Sequence, residues 1–243
     1  MAYSAVPTVV TGDSWSAANH NTYLRDNLAA LWPFTAAGDI AYASSATALA
    51  RLAMGFGYQS IRVNSGATAL EYTYPGMTLI TEHLCSADEA SIEFTNIPQV
   101  FRNLRVVAMA RGTYATFVLT GFLQFNADTG ANYDNQIMLD YGTTVTTQST
   151  YGDSKMSVLL CCGATGLAGS AGLAVIDIPD YHGAWKKQSI SETSFKYCES
   201  ANGIESHKYR GYWRNTNAIT SIKFFFQNGN FAAGSVMSLY GLA

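Results

Sequence analysis

The chain has 243 residues, of which 48% are hydrophobic and only 13% are charged, and its formal net charge at pH 7 is −3. An ordinary soluble domain carries roughly 25% charged residues, so we expect other subunits or a larger assembly to cover much of this surface. The lack of a basic excess argues against a nucleic-acid partner, because binding phosphates needs clustered lysine and arginine.

No stretch of the sequence approaches the roughly 18 consecutive apolar residues of a membrane-spanning helix. The first fifteen residues, MAYSAVPTVVTGDSW, lack the charged and apolar regions of a signal peptide. We therefore expect a protein that is made in the cytoplasm and does not insert into a membrane.

The four cysteines are predicted to be free thiols. Cys85, Cys161, Cys162 and Cys198 show no spacing typical of a metal site, and adjacent strand residues such as Cys161 and Cys162 point to opposite faces. The four histidines are scattered along the chain, and scattered histidines are more often surface or core residues than ligands. We therefore expect no bound metal and no cofactor.

Residues 1–35 carry a helical pattern. In SAANHNTYLRDNLAALW, apolar side chains recur close to every 3.6 residues. Ser14 or Ser16 is placed to cap the start of this helix, and Pro33 ends it. A single helix of this length is marginal in water, so it must pack on copies of itself or on a docking surface. Its apolar positions are Tyr23, Leu24, Leu28, Leu31 and Trp32.

Residues 36–76 contain an internal repeat. The segment IAYASSATALARL lies over IRVNSGATALEY, with ATAL common to both, and each copy predicts two short strands joined by a turn of small residues. Two copies are too few for a solenoid, which needs about three. We therefore expect the neighbours to come from other chains in an intertwined trimeric collar; the alternative is a chance similarity within a linker rich in Ala and Ser. The apolar collar positions are Ile40, Leu49, Leu52, Ile61, Val63 and Leu70.

From residue 77 to residue 243 the sequence is typical of an all-β domain. Short runs rich in aromatic and β-branched residues are separated by Gly, Asn, Asp and Ser. About ten such strands predict an antiparallel β-sandwich, with a jelly roll as the expected topology. The fold class is therefore mostly β, divided into an anchor helix (1–35), a collar (36–76) and a sandwich head (77–243).

Two sets of motifs resemble proteins of tailed bacteriophages. GDIAYASSATALARLAMG and IRVNSGATALEY resemble the collar that precedes the distal domain in many virion proteins, although Tyr72 stands where that pattern has Trp. FTNIPQVFRNLRVVAMAR, FNADTGANYD, IPDYHGAWKK and WRNTNAITSIKFFFQNGNFAAGSVMSLYGL resemble a recurring phage module. The resemblance covers the chain from about Gly38 onward.

This resemblance implies a homotrimeric structural protein of the virion, of the tail-fibre or spike type. Its N-terminal region would bind other virion proteins through the five apolar residues of the helix, and its sandwich would face outward to bind a host surface or the particle surface. One alternative is a capsid decoration or head-fibre protein. The other, from a different functional class, is a tailspike enzyme that cleaves glycans.

Glycan binding is the chemistry best supported in the head, because aromatic rings stack on sugars and neighbouring polar groups hold the hydroxyls. Competing with this is the interpretation that such aromatics fill the core or the trimer interface. The candidate residues are Tyr133, Tyr151, Tyr181, Trp185 and Trp213.

Metal binding and catalysis have weaker support. The loop NADTGANYDN offers oxygen ligands at Asn126, Asp128, Asn132 and Asp134, but it departs from the EF-hand pattern, so we expect an ordinary Asx turn. Glycan cleavage would need two carboxylates at a fixed separation. Because the carboxylates of the head lie mostly in predicted turns, we assign no catalytic residue and expect no enzyme.

Overall fold

A computed structural model describes residues 10–243 except 13, 15, 47, 142–143 and 197–203. The chain forms two compact units, the N-terminal unit (Met1–Pro75) and the C-terminal unit (Gly76–Ala243). Among the described residues, no helix has the length and the apolar character needed to cross a membrane.

The N-terminal unit begins with a short helical segment. Helix α1 (Ala17–His20) continues into a π-helical turn (Asn21–Asp26) and then into helix α2 (Asn27–Ala30). Ser16 caps the start, as one of the two predicted capping residues, because its Oγ accepts a hydrogen bond of 3.1 Å from the backbone N–H of Asn19. The predicted helix is therefore confirmed, with a wider π turn in its middle.

Each copy of the internal repeat forms an antiparallel hairpin. Strand β1 (Ile40–Ser45) pairs with β2 (Ala48–Leu52), and β3 (Ser60–Val63) pairs with β4 (Leu70–Thr73). The repeat thus corresponds to two similar pieces of structure. A two-stranded hairpin is only marginally stable in water without a surface to pack on.

The C-terminal unit contains two antiparallel sheets. The strands are β5 (Met77–Leu84), β6 (Ser91–Phe94), β7 (Asn103–Ala110), β8 (Val118–Phe125), β9 (Tyr133–Tyr141), β10 (Thr144–Asp153), β11 (Met156–Cys162), β12 (Gly172–Ile178), β13 (Lys187–Lys196), β14 (Ile204–Trp213), β15 (Ile222–Phe226) and β16 (Val236–Leu242). The large sheet has the order β10-β9-β14-β13-β12-β7-β16-β5, and the small sheet has the order β11-β8-β15-β6. This arrangement is consistent with the predicted β-sandwich, whereas the jelly-roll topology stays a prediction.

The core lies between the two sheets. Strands β8 and β12 alternate buried and more exposed residues, as expected for strands with one face on a core. Strand β11 packs on β12, β13 and β14, and all seven of its residues are buried. Three cysteines, Cys85, Cys161 and Cys162, are buried free thiols as predicted, and Cys198 lies outside the described residues.

Candidate functional site

The apolar side chains of the N-terminal helical segment are largely exposed. Tyr23 is half-buried, whereas Leu24, Leu28, Leu31 and Trp32 are exposed, Trp32 to 72%. These are the five residues predicted to attach the protein to a particle. Among the described residues, the four exposed side chains thus form an apolar surface.

The predicted collar residues lie on the two hairpins with their apolar side chains only partly covered. Leu49, Ile61 and Val63 are exposed, and the other three, Ile40, Leu52 and Leu70, are half-buried. Of the residues in this unit whose burial the structure describes, only Asn27 is buried. The described part of the N-terminal unit therefore has no hydrophobic core of its own.

Polar residues of the first repeat hold its hairpin to the preceding turn. The Oδ2 atom of Asp39 accepts hydrogen bonds of 2.8 Å from the backbone N–H groups of Thr35 and Ala36, and it lies 3.1 Å from Nη1 of Arg51 in β2. These two backbone hydrogen bonds, together with Arg51, outweigh burial and lower the pKa of Asp39 to about 2. The geometry of the turn thus depends on an ionised Asp39.

The second repeat is held in a similar way by polar contacts. Arg62 in β3 and Glu71 in β4 are register partners joined by an ion pair of 2.8 Å. In the turn between them, Oδ1 of Asn64 accepts hydrogen bonds from the backbone N–H groups of Thr68 (2.8 Å) and Ala69 (3.2 Å). In both repeats, polar side chains organise the hairpin and leave the apolar ones available to contact another surface.

Three of the five aromatic residues predicted to bind glycans are buried. Tyr133, Tyr181 and Trp213 have exposed fractions of 0%, 0% and 1%. Tyr133 and Trp213 belong to inner-face positions of β9 and β14, where their rings stack with centroids 6.4 Å apart. Tyr181 turns inward because its hydroxyl donates a hydrogen bond to the carbonyl oxygen of Pro98. For these three rings, burial agrees with the competing interpretation that such aromatics fill the core, and they form part of the fold.

The loop of residues 126–135 is an Asx turn, as expected, that is fastened to the core. Oδ1 of Asp128 accepts from the N–H of Gly130 (2.8 Å), and Oδ2 accepts from Nδ2 of Asn132 (2.9 Å) and from Nε1 of Trp213 (2.7 Å). Burial opposes ionisation, but these hydrogen bonds outweigh it and lower the pKa of Asp128. Because protein donors occupy both carboxylate oxygens, this residue serves the loop itself.

A buried lysine organises the turn that precedes β13. Nζ of Lys187 donates hydrogen bonds to the carbonyl oxygens of Gly183, Trp185 (2.6 Å) and Thr216 (3.2 Å). Burial lowers the pKa of Lys187. The result is a fixed turn whose tip carries the indole of Trp185, with 79% of that residue exposed.

Trp185 belongs to a cluster of aromatic and charged side chains that we call the end patch, because it lies where β9, β13 and β14 meet at one end of the large sheet. Nζ of Lys186 lies 5.9 Å from the ring centroid of Tyr212, and Tyr212 is the register partner of Asp134. Asp134 forms an ion pair of 2.6 Å with Arg214, which lowers the pKa of Asp134. The end patch consists of Asp134, Tyr151, Trp185, Lys186, Tyr212 and Arg214.

Tyr151 joins the end patch through the neighbouring strand β10. The backbone N–H of Gly152, the next residue, donates a hydrogen bond of 2.9 Å to Oδ1 of Asp134. Tyr151 itself is 76% exposed. Two of the five predicted aromatic residues, Tyr151 and Trp185, are thus exposed, and their chain neighbours Gly152 and Lys186 interact with Asp134 of the Asp–Arg pair. Exposed rings can stack on a sugar ring, and such polar groups can hydrogen-bond its hydroxyls.

The outer face of the large sheet carries a row of apolar side chains as well as ion pairs, among them Arg105 with Asp177 on β7 and β12. Register places Leu84, Val236, Met109 and Leu173 side by side across β5, β16, β7 and β12, and all of these except the half-buried Val236 are exposed. We call this row the apolar row. On the same face, β13 and β14 carry the ion pair of Glu192 and Lys208 at 3.3 Å.

Sequence reasoning missed the apolar row, Lys186 and Arg214, and it named Asp134 only as a candidate metal ligand. Both the apolar row and the end patch are spread over strands that are distant in sequence, and only the pairing register brings their members together. Comparisons with protein-family models, with curated proteins and with solved structures found no match to this chain.

Proposed function

We propose that this protein is a homotrimeric structural protein of a tailed-bacteriophage virion, of the fibre or spike type. The N-terminal unit binds other copies and the particle, and the C-terminal unit is displayed outward. One observation carries the proposal: of the residues of the N-terminal unit whose burial is described, only Asn27 is buried.

The free energy gained by burying apolar side chains favours an interface between the N-terminal units of several chains. Moving a large aliphatic side chain from water into an interface contributes about 1.5–3 kcal/mol, and association costs roughly 4–15 kcal/mol. The exposed Leu49, Ile61 and Val63 of the hairpins, counted over three chains, contribute toward that cost. A second copy of the chain is the nearest source of a matching surface, since each copy carries the same hairpins.

The apolar row gives the C-terminal unit a surface of the same kind. Scattered single apolar residues are normal on a surface, but neighbours aligned across four strands form a contiguous patch. We assign this row to contacts between the sandwiches of the trimer. The end patch lies toward the opposite edge of the sheet, on β10, β9 and β14, outside those contacts.

The end patch is the proposed ligand surface, and a host-surface glycan is the proposed ligand. Exposed Trp185 and Tyr151 supply ring faces, and Asp134 and Arg214 supply hydrogen-bonding groups. Cleavage of the glycan is disfavoured at this surface because a general acid needs a raised pKa. The pKa values of Asp134 and of the nearby Asp128 are both lowered.

The position of the protein on the virion tests this proposal. Intact particles are labelled with an antibody raised against residues 77–243 and viewed by electron microscopy. Signal at the tail supports a fibre or spike that binds the host, and signal over the head supports the decoration or head-fibre alternative. Particles that incorporate the protein nowhere would overturn the virion assignment.

A further inference from the structure

Three side chains with the chemistry of metal ligands meet at the edge of the large sheet. His83 lies in β5, Cys85 follows the end of that strand, and Glu89 lies in the loop before β6. Nε2 of His83 is 2.8 Å from Oε2 of Glu89. The ligand atoms of all three residues lie within 4.8 Å of one another.

The backbone holds these three positions firmly. His83 and Cys85 stand two residues apart at the end of an extended strand, so their side chains project to the same side. The N–H of Cys85 donates a hydrogen bond of 2.9 Å to the carbonyl oxygen of Ser235. Glu89 and Phe231 exchange two backbone hydrogen bonds of 3.0 and 2.8 Å. The cluster is therefore part of the sheet framework.

We propose that His83, Cys85 and Glu89 bind a divalent transition metal ion, and that Zn²⁺ is the ion that fits this donor set best. An imidazole nitrogen, a thiolate sulfur and a carboxylate oxygen are the three ligand types that Zn²⁺ takes in proteins. Ligand distances of about 2.0–2.3 Å in a tetrahedral site place neighbouring ligand atoms about 3.3–3.7 Å apart. Side-chain shifts of about 1 Å are enough to reach that geometry.

Access to the site and its fourth ligand position come from the solvent side. Cys85 is buried, whereas the side chains of His83 and Glu89 are 37% and 30% exposed. A metal ion can therefore enter past these two residues, and water can complete the coordination. Three protein ligands with one open position is an arrangement that zinc accepts.

Metal binding must displace the proton of the Cys85 thiol. Burial is the largest of the effects that raise the pKa of Cys85 to about 11. The negative charge of Glu89, its hydrogen bond with the thiol and the negative charge of Asp88 act in the same direction. Without a metal the thiol keeps its proton and is a poor nucleophile. Metal binding releases that proton to solvent and forms the bond from sulfur to metal, while the lone pair of Nε2 of His83 and the Glu89 carboxylate complete the ligand set.

Titration of the metal-free, full-length protein with Co²⁺ tests the proposal. A thiolate ligand gives Co²⁺ a charge-transfer absorption in the near ultraviolet, and a four-coordinate site gives strong visible bands. We expect both at one ion per chain, with release of a proton and displacement by Zn²⁺. Cys85→Ser should remove the near-ultraviolet band, and His83→Asn and Glu89→Gln should each weaken binding at least about tenfold.

Matched variants separate this site from binding elsewhere. Glu93→Gln changes a carboxylate of β6 and His182→Asn changes an exposed histidine; neither residue belongs to the cluster, and each variant should leave the titration unchanged. Absence of the near-ultraviolet band, or its survival in Cys85→Ser, would overturn the proposal. If Cys85→Ser does not fold, His83→Asn and Glu89→Gln decide, since they alter half-exposed side chains, and unchanged affinity in both would also overturn it.

Discussion

Asp39 and Arg51 are joined by an ion pair of 3.1 Å that connects the turn before β1 to strand β2. Arg51 belongs to the first repeat, and Asp39 is the residue directly before that repeat. Asp39 also accepts hydrogen bonds from the backbone N–H groups of Thr35 and Ala36, so one carboxylate organises the start of the hairpin. The repeat therefore combines polar residues that shape each hairpin with apolar residues that stay exposed for a partner.

The N-terminal unit should lose order in acid through Asp39. Its pKa in the folded chain, about 2, is below the ordinary 3.8, so its contribution to stability is present above about pH 4 and disappears as the pH falls toward 2. Asp39→Asn should remove this dependence and reduce amide hydrogen-exchange protection at Thr35 and Ala36. Asp26→Asn, which affects only a pair with the adjacent Arg25, is the control. Unchanged protection in Asp39→Asn would contradict the assignment.

Lys187 should be essential to the turn that carries Trp185. Lys187→Met removes the buried donor to the carbonyl oxygens of Gly183, Trp185 and Thr216, and a hydrogen bond to a charged group contributes about 1.5–3 kcal/mol. We expect urea unfolding to show a loss of about 2–4 kcal/mol in the free energy of unfolding. The adjacent, exposed Lys186→Met is the matched control and should change it by less than about 0.5 kcal/mol. Equal effects would mean that the buried position has no special role.

Trp185 should dominate binding to host-surface glycans. Replacing an exposed, rigidly held aromatic residue at a binding site typically costs more than about 1 kcal/mol, so Trp185→Ala should weaken binding of the purified protein to host cells at least about fivefold. Trp32→Ala, which alters an equally exposed tryptophan in the other unit, should bind normally. If both variants bind alike, the end patch is not the ligand surface.

Deleting residues 1–33 should separate attachment from assembly. The deletion removes the helical segment with its exposed Leu24, Leu28, Leu31 and Trp32 and keeps both hairpins. We expect a folded trimer that no longer joins particles in a complementation assay, whereas the full chain does. Incorporation of the truncated protein would place the attachment surface elsewhere.

The sequence predicted those features that depend on residues close together in the chain. Ser16 as a cap follows from side-chain chemistry within one helical turn, and the two hairpins follow from a repeat read along the chain. The sequence does not show that Tyr133 and Trp213 are buried, because their inward orientation depends on where β9 and β14 begin. A shift of one residue in register moves a side chain to the other face of the sheet. The burial of Tyr181 does not follow from the sequence, because its hydroxyl donates a hydrogen bond to Pro98, which is distant in the chain.

The candidate sites depend still more on contacts between distant residues. Asp134 meets Lys186, Tyr212 and Arg214 only because β9 and β14 are neighbours in the large sheet. Glu89 reaches His83 and Cys85 because its loop is paired with Phe231, far along the chain. A single sequence shows the residue types at these positions but not the pairing that brings them together.

The central claim, that the N-terminal unit is completed by other copies of the chain, is tested most directly by the mass of the full-length protein in solution, measured by size-exclusion chromatography with light scattering. We predict three chain masses, and a shift to one chain mass when Leu49→Asp and Leu70→Asp are combined. Leu167→Asp, which alters an exposed leucine of the C-terminal unit, should leave the trimer intact. A mass of one or two chains for the unsubstituted protein would contradict the account.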